Sequence, residues 1–137
     1  EQEFDAADIL VMCAAVADYR PHEVADGKIA REGPLTLELE PTPDILAGLA
    51  ARRRDGQTLV GFAAEHGDGA LARAREKLGR KGLDAVVCND VSQPGLGFDA
   101  DCNEVTIVTS SGDEHVPAAG KRAIADAVLD AVETLRR

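Results

Sequence analysis

Three short apolar runs recur along this chain with helical signals between them: Ile9 to Cys13, Leu59 to Ala63, and Ala85 to Cys88 entered from Asp84. Runs that are apolar throughout, rather than alternating, belong to strands covered on both faces, as in parallel sheets flanked by helices. The segments between them are long enough to carry the crossovers that parallel strands need. The first crossover opens at Pro41-Thr42-Pro43-Asp44, where Thr42 can cap, Pro43 suits the first helical position and Asp44 suits the positive end of the dipole. Ile45, Leu46, Leu49 and Ala50 follow as a helical stripe, then Arg52, Arg53 and Arg54, with Gly56 as a stop. The second crossover helix is expected from Gly67-Asp68 through about Arg80, stopping near Gly82. The expected fold is α/β: a Rossmann-like three-layer arrangement with a mostly parallel sheet and right-handed crossovers.

Two segments do not fit a parallel sheet. Leu35 to Glu40 alternates strictly, the mark of a half-buried strand. Val105 to Val108, the turn Ser110 to Asp113, and His115-Val116 read as a hairpin. Both are expected in a small antiparallel side sheet whose open edge a second copy would cover. A last helix, about Gly120 to Arg137, is expected to bury Ile124, Val128, Ala131, Val132 and Leu135.

The 137 residues suffice for one domain, read as 1–137, and with only 3% aromatics its core must be built from Ala, Val and Leu. A net charge of −10 argues against a nucleic-acid surface, although a few converging cations would still admit a single nucleotide. No apolar run approaches the ~20 residues of a membrane span. The three cysteines show neither CxxC nor Cys/His ligand spacing, which points to a reducing cytosol. Cys13 and Cys88 are expected as small core residues, Cys102 as a loop thiol.

Each buried strand should end in a loop at one sheet edge, where ligands of open α/β proteins bind. Those loops are Ala14 to Pro21 (AAVADYRP), Ala63 to Glu65, and Asn89 to Gln93. Ala14 and Ala15 would let a flat ligand approach the backbone. Amides at Asp44, Ile45 and Leu46 offer an anion site at a helix start. Lys77 and Lys81, four apart, share a helix face beside a stripe of Leu71 and Leu78, with Arg73 and Arg80 further out. Each residue also has an ordinary reading: Asp18 as a turn carboxylate, Asp44 as first-turn stabilisation, Lys28 as a solvated loop lysine, and Lys77 and Lys81 as a helix flank balancing Glu76. His22, His66 and His115 show no metal spacing. A P-loop, a GxGxxG and a tyrosine–lysine pair four apart are missing, which disfavours hydride chemistry. From these residues alone, the reading ends at a nucleotide-type ligand on a Rossmann-like edge.

In order along the chain, AAVADYRP, Lys28-Ile29, TPDIL, GFAAE, the Lys77/Lys81 helix ending RKGLD, and NDVSQPGLGFD with Asn103 resemble phosphopantothenoylcysteine synthetase, the phosphopantothenate–cysteine ligase family. The likeness spans about Asp8 to Val116. It implies a CTP-dependent enzyme of coenzyme A biosynthesis, commonly fused behind a flavin-dependent decarboxylase. CMP is first joined to the carboxylate of 4′-phosphopantothenate, releasing pyrophosphate; the amine of cysteine then displaces CMP. Carried over, CTP contacts fall on Met12, Cys13, Ala14, Asp18, Lys28, Pro43, Asp44, Ile45, Leu46, Phe62, Lys77 and Lys81, with Lys28 also catalytic and Mg²⁺ expected with the triphosphate. The likeness further implies a homodimer formed through the segments around Leu35 and Val105. The family's opening glycine- and serine-rich segment, with an Asn that stabilises the acyl-cytidylate, is not among these residues. The expectation is a chain that binds CTP but is catalytically incomplete, cut from a longer protein. The competing readings are a nucleotide-binding module without chemistry and a dimerisation domain.

Overall fold

The computed structural model describes residues 2–92 and 100–137. The segment Gln93 to Asp99, part of the NDVSQPGLGFD motif, lies outside the described residues. A short 3-10 turn, Phe4–Ala6, precedes β1 (Ile9–Met12), β2 (Tyr19–Pro21), β3 (Leu39–Pro41), α1 (Ile45–Ala51), β4 (Thr58–Glu65), α2 (Ala70–Lys81), β5 (Ala85–Asp90), β6 (Cys102–Thr109), β7 (Asp113–Gly120) and α3 (Lys121–Leu135).

The main sheet has five strands in the order β1-β4-β5-β6-β7, and β2 pairs with β3 in a separate two-stranded sheet. The three apolar runs are parallel as expected, with Leu10 opposite Leu59 and Phe62 opposite Val87. The sheet is mixed rather than mostly parallel, because the β6–β7 hairpin adds to it antiparallel, Val86 facing Val108. The hairpin therefore does not enter the side sheet. Val105, Ile107 and Val108 are all fully buried, which a solvent-facing side strand could not achieve.

Three layers result. On one face α3 places Ile124, Val128 and Val132 against Val60, Ala85, Val87, Val105 and Ile107. Its last turn contributes less than the pattern suggests, since Ala131 is only half-buried and Leu135 is exposed. On the other face α2 packs Ala74 and Leu78 on Ala63, Val86, Cys88 and Val108. Its buried stripe runs through Ala74, not Leu71, which is exposed. Gly82, at φ +65°, ends α2 by adopting a conformation costly for side-chain-bearing residues. Leu49 of α1 joins Phe4 and Leu59 in a third cluster. There Gln57 Nε2 donates to the carbonyls of Phe4 and Ala7 at 2.8 and 2.7 Å, which satisfies a buried amide.

The side sheet differs most from expectation. Of the alternating segment Leu35 to Glu40 only Leu39 and Glu40 enter a strand, β3, whose partner is Tyr19–Pro21, at the end of AAVADYRP. Glu40 pins this arm by accepting from Arg20 Nε at 2.6 Å, and it lies 3.0 Å from His22 Nδ1. Leu35 and Leu37 project into solvent at 67% and 66% exposure, so the alternation describes a face that none of the described residues covers.

Candidate functional site

A cleft of about 350 Å³ opens at the carboxyl ends of β1 and β4. Its walls are Met12 from β1, the loop Ala14 to Asp18, Thr42 to Leu46 at the start of α1, Phe62 to Ala64 from β4, and Lys77 and Lys81 from α2. Met12, Ala14, Asp18, Pro43, Asp44, Ile45, Leu46, Phe62, Lys77 and Lys81 therefore meet in one place. Cys13 and Lys28 are not among the lining residues. Cys13 stands one residue beyond β1 and is exposed rather than a core thiol, whereas Cys88 is buried and Cys102 exposed. Lys28 lies on the exposed stretch between β2 and β3.

Local chemistry explains the walls. Gly61 lets α1 approach the sheet, since a Cβ there would meet Leu46 Cδ2 and Leu83 Cδ1 at 3.0 Å. The residue that caps α1 is Asp44, not Thr42: its Oδ1 accepts from the Ala47 amide at 3.0 Å. Pro43 thus precedes the cap. Thr42 ties the loop instead, its Oγ1 donating to the Ala17 carbonyl at 2.5 Å and its amide to the Asp18 carbonyl at 2.9 Å.

The cations are not idle. Lys81 Nζ lies 2.9 Å from Asp44 Oδ2, and Lys77 Nζ donates to Glu65 Oε1 at 2.6 Å. Their partners come from other elements rather than from Glu76. Arg73 keeps a partly exposed side chain but is anchored: its Nε donates to Glu65 Oε2 at 2.5 Å, and its remaining nitrogens reach the carbonyls of His66 and Asp68. Glu65 is buried and bridges both cations.

Burial alone would raise the Glu65 carboxyl, but bonds from Arg73 and Lys77 outweigh it and hold the group below its ordinary value. The same balance, with the Ala47 amide and Lys81 on the winning side, lowers Asp44. A carboxyl lowered by folding stabilises fully above its unfolded pKa, and that contribution is lost as pH falls through the folded pKa. Melting temperature is accordingly expected to fall on acidification below about pH 4.5, with a shallower fall in Glu65→Gln. An identical acid limb in that variant, measured by circular dichroism, would count against the ion-pair account.

Of the third expected loop, Asn89 to Gln93, the described residues Asn89 to Ser92 do not line this cleft. Asp90 closes a turn by accepting from the amides of Gly67 and Ser92 at 3.1 and 2.9 Å, while Gln93 lies outside the described residues. Among the described residues, no three His, Cys, Asp or Glu side chains gather into a metal site. His22 and His115 instead neighbour Glu40 and Glu104. Ala63 and Ala64 line the cleft, as expected of the Ala63 to Glu65 segment, and Thr42, expected only as a helix cap, lines it too. Only the flanking prolines hinted that the backbone at Thr42 is fixed.

The profile of the family described as DFP, the DNA/pantothenate metabolism flavoprotein C-terminal domain, matches residues 1–135. The chain is 44% identical over 139 residues to the coenzyme A biosynthesis bifunctional protein CoaBC of Mycobacterium tuberculosis H37Rv, covering 93% of this chain and 33% of that protein. It is 42% identical over 136 residues to CoaBC of Bacillus subtilis strain 168, covering 98% and 33%. The chain thus spans about a third of the length of these curated relatives. A crystal structure of the C-terminal domain of CoaBC superposes with a TM-score of 0.74 at 35% identity, covering 98% of this chain and 59% of that one. A structure of the Cab2 mutant H337A in complex with phosphopantothenate-cysteine shares the fold, with a TM-score of 0.71 at 19% identity. The resemblance read from the motifs therefore holds, and the chain belongs to the DNA/pantothenate metabolism flavoprotein C-terminal domain family.

Proposed function

We propose that this chain is part of a phosphopantothenate–cysteine ligase and that the cleft between β1, α1 and α2 receives CTP. The observation that carries this reading is the convergence of the AAVADYRP, TPDIL and GFAAE segments with Lys77 and Lys81 on a single cavity. Small side chains at Ala14, Ala15, Ala63 and Ala64 leave backbone accessible to a flat base, and Phe62 is 40% exposed beside them. Lys77 and Lys81 supply positive charge for a triphosphate. Each ammonium has three donors, so pairing with Glu65 and Asp44 leaves capacity for phosphate oxygens.

In the proposed reaction a carboxylate oxygen of 4′-phosphopantothenate attacks the α-phosphorus and the bond to pyrophosphate breaks. The lysines stabilise the charge that develops on the departing oxygens. The cysteine amine then attacks the acyl carbon, losing a proton as the bond to CMP breaks. Mg²⁺, if used, would arrive on the triphosphate as part of the substrate, with Asp18 and Asp44 as the nearby carboxylates in the cleft.

Titration calorimetry tests the reading: CTP is expected to bind at least about tenfold more tightly than ATP, GTP or UTP, a difference of roughly 1.4 kcal/mol. Equal binding of all four would favour a nucleotide module without ligase chemistry. No binding at all would leave only a dimerisation domain.

A second copy is proposed to cover the β2–β3 arm. Val24, Ile29, Leu35, Leu37 and Leu39 are all more than half exposed there, and the first four line one shallow hollow, an apolar surface uncommon on a free monomer. Lys28 belongs to this arm, so its catalytic role depends on where the arm settles in the dimer. Light scattering at tens of micromolar should report a dimer, and Leu37→Asp a monomer; a monomeric parent would count against the proposal. On this reading a flavin-dependent decarboxylase precedes the chain in the longer protein, which works in the cytosol. Among the described residues no helix is long and apolar enough to cross a membrane.

A further inference from the structure

We infer that Thr42 is a positioning residue of the nucleotide site, fixing the loop that carries Asp18. The inference rests on the proposed CTP reading of the cleft. Thr42 stands between Pro41 and Pro43, neither of which has an amide hydrogen. Of these three residues, only Thr42 can donate from the backbone. Proline after it also biases Thr42 itself towards extended conformations.

From that restricted backbone it makes two bonds to consecutive carbonyls: its hydroxyl to Ala17 at 2.5 Å and its amide to Asp18 at 2.9 Å. These bonds join the entrance of α1 to the Ala14 to Asp18 loop, and Ala17, Asp18 and Thr42 all line the cleft. Immediately beyond them the chain enters the β2–β3 pairing, where Tyr19 faces Pro41. Thr42 therefore sits at the junction of the Ala14 to Asp18 loop and a two-stranded arm that is not hydrogen-bonded into the main sheet. The amide bond is available to any non-proline residue at 42. The hydroxyl bond requires Ser or Thr.

The test compares Thr42→Val, which keeps the shape and removes the donor, with Thr42→Ser, which keeps the donor, in the full chain. CTP affinity is read by calorimetry, and amide hydrogen exchange of residues 14–18 without nucleotide. Thr42→Val is expected to weaken CTP about fivefold to tenfold and to speed exchange in that loop. Thr42→Ser is expected to match the parent in both. Unchanged affinity in Thr42→Val, or an equal loss in both variants, would overturn the inference. Should Thr42→Val not fold, Thr42→Ser with weakened CTP binding would overturn it by itself, and parent-like binding would support it. Absence of CTP binding by the parent would instead overturn the ligand reading, while the exchange measurement would still decide whether the hydroxyl holds the loop.

Discussion

Lys81→Ala is expected to weaken CTP binding by roughly tenfold to a hundredfold, the largest single effect foreseen for the cleft. A charge-assisted hydrogen bond contributes about 1.5–3 kcal/mol, and tenfold in affinity corresponds to about 1.4 kcal/mol. Two changes act together. The variant removes a cation from the cleft wall, and it strips Asp44 of the ammonium 2.9 Å away, so a carboxylate is left facing an incoming anion. Asp44→Asn in the same background tests the second contribution. Asn keeps a side-chain oxygen for the Ala47 amide, so α1 stays capped while the negative charge goes. The double variant is expected to recover part of the lost affinity. Calorimetry at fixed ionic strength measures all three proteins; full affinity in Lys81→Ala would remove Lys81 from the site.

Leu59→Ala is expected to cost about 2–5 kcal/mol of stability and lower the melting temperature by roughly 10 °C. Leu59 has no exposed surface and packs in the cluster of Phe4 and Leu49, with Ile45, Leu10, Ala50 and Leu83 around it. Removing its side chain leaves a cavity that neighbours on a rigid sheet and a short helix cannot fill. The consequence reaches the site, because the same cluster holds α1 against the sheet and α1 brings Asp44 to Leu46 into the cleft. A loss below about 1 kcal/mol in chemical denaturation would show that the cluster collapses around the gap.

How far the sequence reached can be read from particular elements. The three apolar runs became β1, β4 and β5 in parallel register. Of these, β4 and β5 lie covered on both faces as such runs require, whereas β1 is the edge strand and stays only half-buried, with Ile9 exposed. The helix around Lys77 and Lys81 and its stop at Gly82 were legible because capping and 3.6-residue periodicity are local. The hairpin at Val105 was recognised, but its destination was not. A β-hairpin reads the same whether it joins a main sheet or a side sheet, and only the open edge of β5 decides which. Leu35 to Glu40 shows the reverse failure: the alternation records apolar exposure on one face, while the pairing is confined to Leu39–Pro41.

At the site, residue types and spacing brought Asp18, Asp44, Lys77 and Lys81 forward as candidates before any geometry. Their partners could not be foreseen. Glu65 and Asp44 lie on β4 and at the start of α1, on different elements from the lysines they meet, and Arg73 is anchored by Glu65 together with the carbonyls of His66 and Asp68. The sequence by itself determined the strand-helix alternation, the sheet edge that carries the loops and the motifs that tie the chain to its family. These rest on short-range periodicity and on residue identity. Tertiary structure alone decided the order of the outer strands, the pairing of each cation and the tie from Thr42 to the Asp18 loop. Each of those joins groups distant in sequence, and such pairs become neighbours only when the packed layers fix the distance between them.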